Sequence, residues 1–434
     1  MSHRLFVVAF GILTVPGAAL FGMHPVEQPS SATTANSDQP SGNKRLLKAS
    51  DLQFVGAMLL PTEIDPNAYG ALALRKGADG TKTFFCVGKT TFGTNAFEFT
   101  DAGFGPDVKG APRAKLVKAW DIYQGHRTST TTKLETQGLC WLGDKLFWTY
   151  GGNYDVQPGN KPFLGFTRFN ADGTATAFGP WLLDVGQARG RNYVTILPEW
   201  FANQYTGGRR LAVGAGIESG SSNSSWGPGL YAIDMPGEAT PAGALLHSVP
   251  LVFYPQTQRL IRPPDYDVLN EREQVLTTRS PLFWPTQGNL GYWTAADYVP
   301  SCTWIEGRTV RGVLFGNRFA SEHVWYGKSP LASGIKDPCH EAKGQHGSQY
   351  RAAWLIYDAN DLAAVAAGRM ASSKIGPTEE FDPTKLAPNM QLTCDKVCTG
   401  LVFDAGEGML YAICPRVERL GSGPYPVVYQ WKVP

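Results

Sequence analysis

Apolar residues in this chain gather in short runs, and glycine, proline, asparagine and aspartate separate them, which is the signature of strands joined by turns. The clearest stretch is 136–183. Residues 136–142 turn at Gly143-Asp144 into 145–150, a longer polar segment follows, and 163–169 then turns at Asn170-Ala171-Asp172-Gly173 into 176–183. Four strands joined by a tight turn, a long loop and a tight turn make one propeller blade. The same order recurs at 69–74, 83–88, 96–100 and 115–120, and at 193–197, 210–214, 229–234 and 245–254. It recurs again at 302–305, 310–315 and 352–358 with a weakly marked fourth strand, and at 399–403, 408–414 and 426–432, where the chain ends one strand short. The apolar run 52–60 precedes the first blade and is predicted to supply that missing strand, because closing the ring removes the open sheet edges. The pattern therefore predicts an all-β propeller of five blades. Six or seven stay open, since 255–300 has room for more strands, but Pro263-Pro264 and the charged 270–274 favour an insertion there. Two short connecting helices are predicted. One is 361–367, capped by Asp358 or Asn360 and stopped at Gly368; the other is 198–203, opened by Pro198 and stopped at Gly207-Gly208.

The N-terminus has a different pattern. A short positive segment, Met1-Ser2-His3-Arg4, leads into the uncharged apolar stretch 5–23, with Pro16, Gly17, Ala18 and Ala19 in its second half. This predicts a signal peptide over 1–23 and a secreted or periplasmic protein; a retained N-terminal anchor is the alternative. No cysteine precedes Cys86, so a lipid-bearing cysteine at a processed N-terminus is excluded. Residues 24–50 are rich in proline, serine and threonine and predict a disordered linker, with the propeller domain over 51–434.

Composition sharpens this picture by exclusion. Glycine (49) and proline (31) are abundant among the 434 residues, charged residues are only 18%, and aromatic residues reach 12%. Such a chain is too aromatic for overall disorder, and too rich in helix breakers for a coiled coil. The formal charge of +2 comes with no basic block, so no nucleic-acid partner is expected. The seven cysteines include no CxxC unit, which argues against a zinc site; in an exported chain they predict disulfides, with at least one left over. Cys394 and Cys398, four apart, are the weaker candidate for a redox or metal pair. No cofactor is expected, and a monomer is.

In a four-stranded meander the second-to-third and interblade connections share one face of the disc. Four of the five second-to-third connections read as long polar loops, at 150–162, 215–228, 316–350 and 414–425, and the long interblade segments 121–135 and 255–300 fall on the same face. Loops held on a rigid scaffold carry function disproportionately, so this face is the expected site. Its candidate acids are Glu135, Asp155 and Glu218, since two carboxylates with environments that split their protonation states can hydrolyse a glycosidic bond. Tyr154 and Trp226 are candidates to stack on sugar rings, and Arg318, Glu322, His323 and Arg416 are candidates to bind polar groups. His323, His340 and His346 with Glu322 or Glu341 could ligate a metal, but no compact spacing supports it, and no metal is expected. Nucleophile-elbow, phosphate-loop, HExxH and dinucleotide motifs are absent from the sequence.

The run 54–61, followed by 69–74 and 84–88, and Tyr357-Asp358 with Asp361-Leu362 and Gly368, resembles uncharacterised secreted bacterial β-propeller proteins. That resemblance covers most of 52–434 and implies the fold without an activity. In architecture alone the chain also resembles five-bladed glycosidases, which place three carboxylates near the innermost strands of the first three blades. Asp65 and Glu135 fall near two such positions, whereas Arg191-Asn192-Tyr193 stands at the third. The leading expectation is recognition of a carbohydrate or another small extracellular ligand on the long-loop face. A glycoside hydrolase using the loop carboxylates and a protein-interaction scaffold are the alternatives.

Overall fold

The strands split their side chains strictly between two neighbours, and that alternation is what closes the molecule into a ring. In the computed structural model, residues 44–434 are described apart from 65–70, 88–94, 126–133, 153–160, 217–223, 256–265, 270–274, 280–281, 286–289, 294–295, 340, 389, 391–396 and 421–422. All belong to one unit, Gly42–Pro434. Two strands come first, β1 (Arg45–Leu46) and β2 (Gln53–Leu59). Blade one is β3 (Leu72–Lys76), β4 (Lys82–Val87), β5 (Asn95–Thr100) and β6 (Leu116–Asp121). Blade two is β7 (Leu134–Leu142), β8 (Lys145–Gly152), β9 (Leu164–Phe169) and β10 (Ala175–Leu183). Blade three is β11 (Tyr193–Ile196), β12 (Leu211–Gly214), β13 (Leu230–Ile233) and β15 (Ser248–Val252); the intervening β14 (Leu245–Leu246) pairs with β10 of blade two instead.

Between blades three and four lie two hairpins, β16 (Tyr266–Leu269) with β17 (Val275–Arg279), and β18 (Leu282–Pro285) with β19 (Leu290–Trp293). Blade four is β20 (Tyr298–Glu306), β21 (Val310–Gly327), β22 (Gly344–Tyr357) and β23 (Glu379–Phe381). Blade five is β24 (Gly400–Asp404), β25 (Met409–Leu420) and β26 (Gly423–Lys432), completed by β2. There β2 runs antiparallel to β26, with Phe54 opposite Trp431 and Met58 opposite Val428, so the N-terminal strand closes the last blade as the pattern predicts. The hairpin β16–β17 joins the outer part of β21 through Leu269 and Trp325, so 255–300 is an insertion on blade four and the ring has five blades.

Consecutive residues of β25 show the packing. Leu410, Ala412 and Cys414 enter a core shared with Trp354 and Ile356 of blade four, while Tyr411 and Ile413 enter a core shared with Phe84, Phe97 and Phe99 of blade one. Equivalent cores lie between blades one and two, two and three, and three and four. Each sheet thus buries both faces, which is why its strands read as unbroken apolar runs rather than alternating ones. The two predicted helices are present. The first is Glu199–Tyr205, following Pro198; the second is Ala359–Ala366, whose N-cap Asp358 accepts the Asn360 N–H.

Three readings change. The polar stretches 316–350 and 414–425 are not loops for most of their length: β21 and β22 pair out to Gly327 and Gly344, and β25 and β26 pair to Leu420 and Gly423. They are ribbons that continue past a bulge beyond the disc, where a strand needs no apolar face and composition does not betray it. Blade four's weakly marked outer strand is β23, a three-residue strand on Trp354–Ile356. Within the expected linker, Arg45 and Leu46 pair parallel to Val310 and Arg311 of blade four, and Asp51 receives two hydrogen bonds from Arg45.

Candidate functional site

The innermost strands β3, β7, β11, β20 and β24 stand side by side around the ring axis. Their N-terminal ends open on the long-loop face and their C-terminal ends on the tight-turn face. Neighbouring strands pack backbone to backbone. A Cβ on Gly400 would sit 2.4 Å from the Leu72 nitrogen, and one on Gly138 would sit 2.8 Å from the Val194 nitrogen. A void of about 10 Å³ lies among them, lined by residues such as Leu72, Leu139, Tyr193 and Leu401.

At the long-loop end, blade four carries the densest set of buried polar groups. Arg318 of β21 lies opposite Tyr298 of β20 and is 5% exposed. Its guanidinium sits 4.5 Å from the Tyr350 ring and 5.7 Å from the Tyr298 ring, an arrangement that favours a desolvated cation over aromatic faces. The Tyr350 hydroxyl donates to Asp337 Oδ2 at 2.9 Å, and His346 Nδ1 lies 2.8 Å from the same oxygen. Asp337 Oδ1 accepts the Cys339 N–H at 2.7 Å. The His346 ring stacks on Trp325 at 5.0 Å, which fixes its plane. Burial pushes the Tyr350 hydroxyl well up from its ordinary range, so it stays protonated and remains a donor. Beneath this cluster Asp297, also buried, accepts the Ala320 N–H at 2.8 Å.

Blades two and three meet on the same face around Arg191. Its side chain crosses Gly151, where a Cβ would approach Arg191 Cδ to 2.4 Å, and Gly151 is the register partner of Glu135. The Arg191 carbonyl accepts the Thr149 hydroxyl at 2.7 Å. Asn192 donates to the Val299 carbonyl at 3.1 Å and binds blade three to blade four. Just before the innermost strand of blade three, an arginine and an amide are thus both buried.

The other candidates divide clearly. Trp226 is 3% exposed and packs in the blade three–four core with Leu230, Tyr254 and Trp293, so its indole is a packing group and not a sugar platform. Glu135 is the second residue of β7, Glu322 and His323 lie on β21, and Arg416 lies on β25, all placed through their backbones alone. Asp65, Tyr154, Asp155, Glu218, His340 and Cys394 lie outside the described residues. Sequence reasoning missed Asp337, Asp297 and Tyr350. Asp337 and His346 meet only because the β21–β22 ribbon brings the connection after β21 back onto β22, and no spacing rule encodes that. Among the described residues no group of three or more His, Cys, Asp or Glu is placed to hold a metal ion, and no helix is long and apolar enough to cross a membrane. Cys398 and Cys414 form a disulfide at the long-loop end of the β24–β25 hairpin.

Fold and site together define a five-bladed β-propeller with one elaborated face. No family model matches the chain, and no curated protein does. Among solved structures it is similar to the ectodomain of the parainfluenza virus 5 hemagglutinin-neuraminidase, with 9% identity and a TM-score of 0.30 over 88% of this chain and 85% of that one. A likeness of that size carries no argument about activity.

Proposed function

We propose that this propeller is exported and recognises a carbohydrate on its long-loop face. The observation that carries the reading is Arg318 held between Tyr298 and Tyr350 at the root of the blade-four ribbon, with Asp337 and His346 fixing Tyr350 behind it. Aromatic rings and hydrogen-bonding groups whose positions are locked in advance are what a hydroxyl-rich ligand requires, because the cost of ordering the site is already met. Tyr154, Glu322, His323 and Arg416 are the side chains proposed to reach the ligand, and Arg318 is a positioning residue. Export is supported by the 1–23 pattern and by the Cys398–Cys414 disulfide, a bond that persists in oxidising compartments.

The test is calorimetric titration of the full chain with soluble oligosaccharides, run for wild type and Arg318→Met, with the sugar products followed by mass spectrometry. Binding that weakens about tenfold or more in Arg318→Met, roughly 1.4 kcal/mol, with the sugars recovered intact, supports recognition. Cleavage that is lost in Glu135→Gln would instead make the face a glycoside hydrolase. The absence of any saturable sugar binding would overturn the reading.

A further inference from the structure

The void of about 10 Å³ is lined by Leu72 of β3, Leu139 of β7, Val194 of β11, Cys302 of β20 and Leu401 of β24. One residue from each innermost strand surrounds it, and the place where all five strands meet is the ring axis. Thr399 lines the same void. It is 9% exposed, and its hydroxyl oxygen is shielded from solvent with no hydrogen-bond partner in the chain. We propose that the axis holds one structural water at this level, bound by the Thr399 hydroxyl and by free backbone groups of the innermost strands.

Three observations select a water. The first is size, because about 10 Å³ is the least volume that takes a single water molecule. The second is the need for partners. A buried hydroxyl without one costs about 1–3 kcal/mol, so native proteins rarely leave it so. The other hydroxyls of the lining are already engaged. Ser301 donates to the Cys398 carbonyl at 2.8 Å, and Tyr193 donates to the Gly229 carbonyl at 2.6 Å. Each innermost strand pairs with a neighbour on one side only, so alternate N–H and C=O groups face the axis. Donors and acceptors are thus offered together, and a water, which donates twice and accepts twice, meets both. The third is charge. Among the described residues the lining includes no carboxylate, ammonium, guanidinium or imidazole. An ion stripped of its hydration there would have no counter-charge.

Such a water joins strands of different blades, whose backbones do not pair with one another. It also has a route to solvent. Toward the tight-turn face lies a cavity of about 340 Å³, which shares Leu72, Leu139, Val194 and Leu401 with the void and extends to Leu74 and Asp404.

The experiment is oxygen-17 magnetic relaxation dispersion of water on the full chain, which counts long-lived internal waters, for wild type, Thr399→Val and Thr399→Ser. Thr399→Val is expected to hold one such water fewer. Its unfolding equilibrium constant in urea should rise about fivefold, the worth of one intramolecular hydrogen bond. Thr399→Ser keeps the hydroxyl and should match wild type in both readings. An unchanged count in Thr399→Val would overturn the proposal. So would a Thr399→Val chain more stable than wild type, the result of removing a hydroxyl that has no partner at all. Crystals of the wild-type chain grown in rubidium chloride give a reading that needs no variant. An oxygen peak within about 3.2 Å of Thr399 Oγ1, without anomalous signal, is expected. An anomalous rubidium peak there, or no peak, would overturn the assignment.

Discussion

His346 Nδ1 lies 2.8 Å from Asp337 Oδ2, and neither side chain reaches solvent. The same carboxylate also accepts from the Tyr350 hydroxyl and the Cys339 N–H, so one group organises three donors across the connection between β21 and β22. Removing it strands buried polar groups, each of which costs about 1–3 kcal/mol when left unpaired. Asp337→Ala is therefore expected to lower stability by roughly 3 kcal/mol or more in urea unfolding. It should also raise hydrogen exchange in the ribbon before the rest of the ring opens. A loss under about 0.5 kcal/mol, the range of an ordinary surface substitution, would show that the cluster does not hold the ribbon.

The closing seam makes a second prediction. Gly400→Ala puts a methyl group 2.4 Å from the Leu72 backbone nitrogen, where blades five and one meet. Backbone cannot rotate aside as a side chain can, and an overpacked core of this kind costs about 1–3 kcal/mol. Gly237→Ala is the control, since nothing lies within 4 Å of its added carbon. Thermal unfolding of the two variants should separate them clearly, with Gly237→Ala close to wild type.

Legibility in the sequence followed burial. Strands of the disc, such as 145–150 and 408–414, bury both faces between neighbouring blades and announced themselves as apolar runs bounded by turns. The run 52–60 was legible as the closing strand because the last blade lacked one, and edges must be paired. The ribbons past Gly316 and Cys414 were not legible, because a strand pairing outside the disc can be polar throughout. The candidate site was legible as a face, from the lengths of its connections, but not as a constellation. Trp226 shows why: its Ser-Ser-Trp-Gly-Pro setting reads as loop, yet the chain folds the indole under Tyr254 and Trp293. Asp337 shows the converse, a loop aspartate that tertiary pairing turns into a fully buried acceptor.

Acid is expected to loosen the N-terminal strand first. Hydrogen bonds from Arg45, at 2.5 and 2.6 Å, hold the Asp51 carboxyl below the usual carboxylate range, and the Lys48 N–H adds to the effect. A carboxyl whose folded pKa is depressed stabilises the fold fully above its unfolded value of about 3.9, and that contribution is lost as pH falls through the lower folded value. Glu407, held down by its hydrogen bond from Lys82 at the blade one–five seam, acts in the same direction. Protection factors of the 45–47 amides should therefore be flat from neutrality to about pH 4.5 and fall below about pH 4. Protection that stays constant to pH 2 would remove the Arg45–Asp51 pair from the account.

Reduction should act at the opposite end of blade five. The Cys398–Cys414 disulfide spans a sequence separation of 16 residues, and closing a loop of that length constrains the unfolded chain by about 3 kcal/mol. Unfolding in a phosphine reductant is expected at a lower midpoint than in its absence. The Cys398→Ala/Cys414→Ala variant should match the reduced wild type and show no further response to reductant.

The central claim is that the elaborated face, and not the tight-turn face, meets a carbohydrate. A printed glycan array probed with wild type, Arg318→Met and Leu74→Trp tests it most directly. The account predicts a defined set of bound glycans for wild type, the same set for Leu74→Trp, and signals at least tenfold weaker for Arg318→Met. No bound glycan for wild type, or a set lost in Leu74→Trp and retained in Arg318→Met, would contradict it.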